Sequence, residues 1–241
     1  MKKTILLSAL LLVSHASFAK DNTAQFQRFI PKGFHLTEHD CKGDFNKDGQ
    51  TDCVLIIKDT QKAGWVNDET TENKPIDRNR RGIIVLFKTP NGYEKILENK
   101  AIFASENEWG GVYFPPDLTV ESKANKLVID YTHGRYGSWS YTFDYRQLND
   151  KKDFYLIGYD SSDNAGPLVQ STHSVNFLNQ RYRYQKNLNT NPDDDTQKFK
   201  TTWYNLPKKT LLKLVDIKDI DDVGKQLDEQ LYYIVNPHDQ P

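Results

Sequence analysis

The segment Asp44-Phe-Asn-Lys-Asp-Gly-Gln-Thr-Asp52 sets oxygen-bearing side chains at alternate positions of a short, glycine-containing stretch. Calcium is a hard cation that takes six to eight oxygen ligands, and a tight loop can supply them from every second residue. The expected ligands are the side chains of Asp44, Asn46 and Asp48, the backbone carbonyl of Gln50, and Asp52, with Gly49 allowing the sharp turn. Without a cation, the crowded carboxylates repel one another. The plainer alternative is a solvated acidic turn with no metal.

A helix-loop-helix calcium site needs a bidentate Glu at the twelfth position. Here that position is Leu55, inside the apolar run Cys53-Val-Leu-Ile-Ile57. The stretch Gly43–Ile57 instead resembles the calcium loop of FG-GAP or VCBS repeats, in which Gly-Asp-Phe-Asn-x-Asp-Gly-x-x-Asp leads directly into a strand. Phe29-Ile-Pro-Lys-Gly33 and Gly82-Ile-Ile-Val-Leu-Phe87 extend the likeness to a group of uncharacterised exported bacterial proteins carrying one such loop. The resemblance covers residues 29 to 88. It implies a structural ion, held by Asp44, Asn46, Asp48, Gln50 and Asp52, and does not imply catalysis. At about 40 to 45 residues per propeller blade, the chain has room for about five blades at most, yet only one such loop occurs and Asp193–Asp195 lacks the glycine. A closed propeller is therefore not expected.

The two cysteines, Cys41 and Cys53, flank the acidic loop. In an oxidising compartment their default state is a disulfide, against the alternative of two buried thiols.

Weaker constellations lie further along. Glu106 and Glu108 precede Trp109-Gly-Gly-Val-Tyr-Phe-Pro-Pro116, and His133 and Arg135 sit in a glycine-rich turn beside Asp130. Two carboxylates near an aromatic cleft can hydrolyse a glycan if suitably spaced. The plainer reading is turn residues and acids at sheet edges. Trp109, Tyr113, His133, Arg135 and Tyr136 are the best candidates for a ligand surface, because turns display side chains that strands bury. His35, His39, His173 and His238 have no metal-ligand spacing and read as solvated. No nucleophile elbow, zinc-protease helix, phosphate-cradling glycine loop or reactive cysteine context occurs, so no catalytic residue is assigned.

Strands must position these residues. Runs rich in β-branched and aromatic residues, bounded by Gly, Pro, Asn or Asp, predict strands at Cys53–Lys58, Gly82–Lys88, Leu127–Thr132, Ser138–Tyr145 and Phe154–Tyr159. In Trp139-Ser-Tyr-Thr-Phe-Asp-Tyr145, Trp139, Tyr141, Phe143 and Tyr145 share one face. That face reads as core, while Ser140, Thr142 and Asp144 face solvent. The turn Thr132–Gly137 makes the flanking strands antiparallel neighbours. Gln61–Arg81 and Asn187–Gln197 read as exposed loops. Pro207 is expected to start a short helix, and Ile217, Ile220, Val223, Leu227 and Leu231 recur at helical spacing. The expected class is all-β, mainly an antiparallel meander and partly propeller-like, with a small C-terminal helical segment.

Lys2 and Lys3 before the apolar run Ile5–Val13, and Ser17-Phe-Ala19 after it, read as an export signal over residues 1–19. Residues 20–241 then form one β-rich domain with no membrane insertion after cleavage. The net charge of −1 gives no basic footprint for nucleic acid. Together these features predict a periplasmic or secreted, non-catalytic binding protein with one Ca2+, meeting a protein or glycan partner in the cell envelope, for instance as an inhibitor or immunity-type protein. A cell-envelope glycan hydrolase or other carbohydrate-active protein is the alternative.

Overall fold

The structure is a computed structural model that describes residues 23–69, 72, 74–108, 115–189, 191 and 196–239. The expected export signal, Trp109, Tyr113 and Asp193–Asp195 lie outside the described residues.

Two antiparallel sheets carry the chain. The first is a four-stranded meander in the order β1 (Phe34–Gly43), β2 (Asp52–Asp59), β5 (Arg81–Thr89), β6 (Gly92–Phe103). Between its second and third strands, the expected loop contains a small hairpin of β3 (Trp65–Asn67) and β4 (Pro75–Asp77). The second sheet is a seven-stranded meander, β7 (Asp117–Lys123), β8 (Lys126–Thr132), β9 (Gly137–Leu148), β10 (Lys151–Ala165), β11 (Leu168–Asn176), β12 (Arg181–Asn187) and β13 (Phe199–Asn205), each hydrogen-bonded to the next. The fold is thus mostly β, as expected. The four-stranded sheet has the size of a propeller blade, and nothing in the described residues repeats it.

The period-two alternation of β2 and β5 feeds two cores at once. Val54, Ile56, Ile83, Val85 and Phe87 face the second sheet, where they meet Leu127, Ile129, Phe143 and Phe154. Cys53, Leu55, Ile57, Ile84 and Leu86 face the other way, and Phe26 of the 3-10 helix Thr23–Phe29 covers them. A sheet covered on both faces explains why both strands are apolar without interruption. Tyr141 and Phe143 are fully buried, with Trp139 and Tyr145 packed against them. The opposite face of β9 is not wholly wet: Asp144 is buried, because Lys126 Nζ at 2.8 Å and Arg146 Nε at 3.5 Å pair with it.

Two expectations need correction. Pro207 starts no helix; residues 206–212 form an irregular strap, since their backbone is engaged by the sheet at either end. Asn187, expected in an exposed loop, is buried at the end of β12 and donates to the Val169 carbonyl at 2.9 Å. The one α-helix among the described residues, α1, runs from Ile220 to Val235, capped by the Asp219 side chain accepting from the Asp221 amide at 3.0 Å. Such a cap satisfies a donor that the first turn leaves unpaired.

Two paired tyrosines tie α1 to the second sheet. Tyr141 and Tyr159 lie opposite each other on β9 and β10. Tyr141 Oη donates to the Ile220 carbonyl at 3.1 Å, and Tyr159 Oη donates to Asp228 Oδ1 at 2.8 Å. Burial drives both phenols well above their ordinary pKa. Gly224 admits this approach, because a Cβ there would lie 2.3 Å from Tyr141 Oη. Gly224→Ala should therefore destabilise by about 1–3 kcal/mol through overpacking, against the ~1 kcal/mol that helix propensity alone would add. Adding Tyr141→Phe should recover part of the loss, as measured by urea unfolding of the double-mutant cycle.

Candidate metal centre

β1 ends at Gly43, where a Cβ would lie 2.3 Å from Ser122 Oγ, so the loop leaves the sheet hard against β7. Lys47 and Gly49 adopt φ of +63° and +83°, which bend the loop back on itself. The acidic side chains then fold inward over its amides. Asp44 Oδ1 accepts from the Asp48 amide at 3.0 Å, and Asp44 Oδ2 from the Gly49 amide at 2.9 Å. Asn46 Oδ1 accepts from the same Asp48 amide at 3.0 Å, and its Nδ2 donates to Asp48 Oδ2 at 2.9 Å. The Gln50 amide donates to Asp48 Oδ1 at 2.8 Å. Asp44, Asn46 and Asp48, which the sequence singles out, are brought together.

Asp52 has a different place. It is fully buried, its Oδ2 accepting from the Phe45 amide at 2.8 Å and its Oδ1 from the Lys88 amide at 3.0 Å. One carboxylate thus closes the loop on itself and fastens it to β5. Phe45 locks the same corner, with its ring edge-on to Phe154 at 5.5 Å in the core between the sheets. Cys41 and Cys53 form the expected disulfide between β1 and β2, around the loop. Closing a loop of this size contributes about 3 kcal/mol in chain-entropy terms.

No family model, curated protein or solved structure matches the chain. The chemistry of the loop must therefore be read from its own donors. Among the described residues, no Lys or Arg pairs with Asp44, Asp48 or Asp52, and their only neutralising contacts are amide N–H groups. Burial raises the Asp52 carboxyl above its ordinary pKa, and the charge of Asp48 adds to the rise. The acceptors that Asp44, Asn46 and Asp48 bring together are all oxygens, the donor type that a hard cation such as calcium takes. Each carboxylate oxygen that accepts one amide retains a second lone pair. No cluster of three His, Cys, Asp or Glu side chains poised around a metal occurs among the described residues.

The other singled-out residues fall apart into separate places. His133, Arg135 and Tyr136 share the 3-10 turn Gly134–Tyr136 and its cap between β8 and β9, with the His133 and Tyr136 rings 4.9 Å apart and Tyr136 half exposed. Glu106 contacts Lys58, a buried lysine that also meets Asp77 Oδ2 at 3.0 Å, and lies 3.8 Å from Arg81 Nε. Glu108 is an exposed turn residue and Asp130 a half-buried one on β8. His173, read as solvated, is packed: its ring stacks on Tyr182, and its Nδ1 lies 2.8 Å from Tyr182 Oη.

Sequence reasoning did not anticipate the ion cluster of Lys58, Asp77 and Glu106, nor the cluster on β10 and β11. There Ser171 Oγ donates to Asp163 Oδ2 at 2.7 Å, and His173 Nε2 lies 3.5 Å from that same oxygen. The His173 contact holds the Asp163 carboxyl below its ordinary pKa. The residue types are those of a serine hydrolase, but the order is not, since a nucleophilic serine must donate to histidine and histidine to the acid through its other nitrogen. Ser171 and His173 at period two, with Asp163 opposite, are the signal that could have found them.

Burial works against ionisation of Asp77, but the Asn79 amide and the Lys58 ammonium outweigh it and hold the carboxyl below its ordinary value. A carboxyl with a lowered folded-state pKa adds stability above its unfolded pKa, and that stability is lost as pH falls through the folded one. Asp77→Ala should cost about 2–3 kcal/mol near neutral pH, below the usual range for a broken buried pair because Glu106 still meets Lys58. The cost should shrink below pH ~4, as followed by denaturant unfolding across pH.

Proposed function

We propose that the chain is an exported, non-catalytic binding protein of the periplasm or extracellular space, whose loop Asp44–Asp52 holds one structural calcium ion. The supporting observation is a loop that turns Asp44, Asn46 and Asp48 onto one set of amides, with no cationic side chain to offset them among the described residues. The side chains of Asp44, Asn46, Asp48 and Asp52 and the Gln50 carbonyl would hold the ion, as the resemblance to FG-GAP and VCBS loops implies. The ion would relieve the repulsion among the acids and stiffen the β1–β2 corner. The export address rests on the Lys2–Ala19 pattern and agrees with the Cys41–Cys53 disulfide, since disulfides persist in oxidising compartments. The turn bearing His133, Arg135 and Tyr136 is the surface offered to a protein or glycan partner in the cell envelope, as an inhibitor or immunity-type protein would use it.

Calcium at about 100-fold over its Kd should stabilise by ~2.7 kcal/mol, a rise in Tm of about 5 to 10 °C for a domain of this size. Asp48→Ala should melt like the chelated wild type and respond to neither calcium nor chelator. Asp52→Ala should lose a further ~2–4 kcal/mol even in chelator, because it strands the Phe45 and Lys88 amides. An equal calcium response in Asp48→Ala and wild type would remove the ion from this loop. Turnover of peptidoglycan that Glu106→Gln abolishes would overturn the non-catalytic assignment.

A further inference from the structure

α1 does not lie flat on the second sheet. Between the helix, β10, β11 and the strap 206–212 is a cavity of about 530 Å3. Leu156 and Val175 floor it from the sheet, Leu206 and Leu211 wall it from the strap, and Leu227 and Ile234 roof it from α1. The strap is pinned only at its ends, by the Leu206 amide to the Gln180 carbonyl and the Leu156 amide to the Leu212 carbonyl, both at 2.8 Å. Among the described residues, no backbone hydrogen bond ties 207–211 to the sheet, and Pro207 has no N–H to give.

The cavity is partly open to solvent, and its volume lies within the size range of small-molecule sites. Water is a poor filler, since it needs two to four polar partners and the walls are apolar. The polar groups gather instead on Gln180, Thr210, Gln226, Gln230 and Lys209. Among the described residues, Lys209 is the only charged side chain of the lining. Its Nζ donates to Gln230 Oε1 at 2.9 Å, and no carboxylate pairs with it among the described residues. Lys209 is exposed at the edge of the chamber, and an ammonium has three N–H donors, so the contact with Gln230 leaves two of them for an acidic ligand.

We propose that this cavity binds a free long-chain carboxylic acid, with the hydrocarbon chain between α1 and the sheet and the carboxylate on Lys209. The chain takes the place of water against Leu156, Val175 and Leu227, and the acid head supplies the anion that Lys209 lacks. The site shares no residue with the acidic loop and stands or falls apart from the calcium assignment.

The test is a fluorescence titration of the mature, disulfide-bonded protein with a dansyl-labelled undecanoic acid, displaced by hexadecanoic acid or by hexadecan-1-ol. We expect saturable binding, displacement by the acid well ahead of the alcohol, and an affinity about tenfold or more weaker in Lys209→Glu, where attraction becomes repulsion. Leu227→Trp should narrow the chamber between α1 and the sheet and weaken binding. Leu211→Trp, on the strap, does the same without touching the helix core should the first variant fail to fold. The absence of saturable binding would overturn the proposal. So would binding that Lys209→Glu leaves unchanged, or binding in which acid and alcohol compete equally.

Discussion

The Asp52 carboxylate is the constraint on which the acidic corner depends. It is buried, it takes the Phe45 amide on one oxygen and the Lys88 amide on the other, and it stands at the first residue of β2. Its burial costs free energy because a charge leaves water, and two amide donors offset that cost. Everything N-terminal to it then follows. With Phe45 drawn in, its ring enters the core, and Asp44, Asn46 and Asp48 are left on the outer rim, where amides are their only donors among the described residues. The disulfide one residue further on holds the same two strands covalently.

From that corner the architecture spreads through β2 and β5. Because they are covered on both faces, the four-stranded sheet cannot be an edge appendage. It is the middle layer between the N-terminal 3-10 helix and the seven-stranded sheet. The second sheet has its own fastening, the Tyr141–Tyr159 pair, whose hydroxyls reach α1 from neighbouring strands. The helix is held along that line and stands clear of the sheet beside it, which is how a chamber survives in a small domain.

Local signals made part of this legible. The alternation from Trp139 to Tyr145 told which face is core, because period two needs only neighbouring residues. The strand at Gly82–Lys88 was readable as a strand from its β-branched run, and the disulfide followed from two cysteines and an export pattern. Other features depend on partners far along the chain. Asp144 looked solvent-facing by alternation and is buried because Lys126 comes from the neighbouring strand β8 to pair with it. Glu106 looked like a candidate acid and instead meets Lys58, which lies 48 positions away. His173 shares a strand face with Ser171 two positions before it, but only the pairing of β11 with β12 sets it against Tyr182. Pro207 has the local marks of a helix start, yet the Gln180 carbonyl and the Leu156 amide engage the strap around it.

The central claim is that the acidic rim carries a bound ion. The most direct measurement is isothermal titration of calcium into the chelator-stripped, disulfide-bonded protein. One ion bound per chain, with magnesium competing weakly, is the result that this account predicts. A titration with no binding heat and no calcium retained on dialysis would contradict it, and the loop would then be an acidic turn held by amides alone.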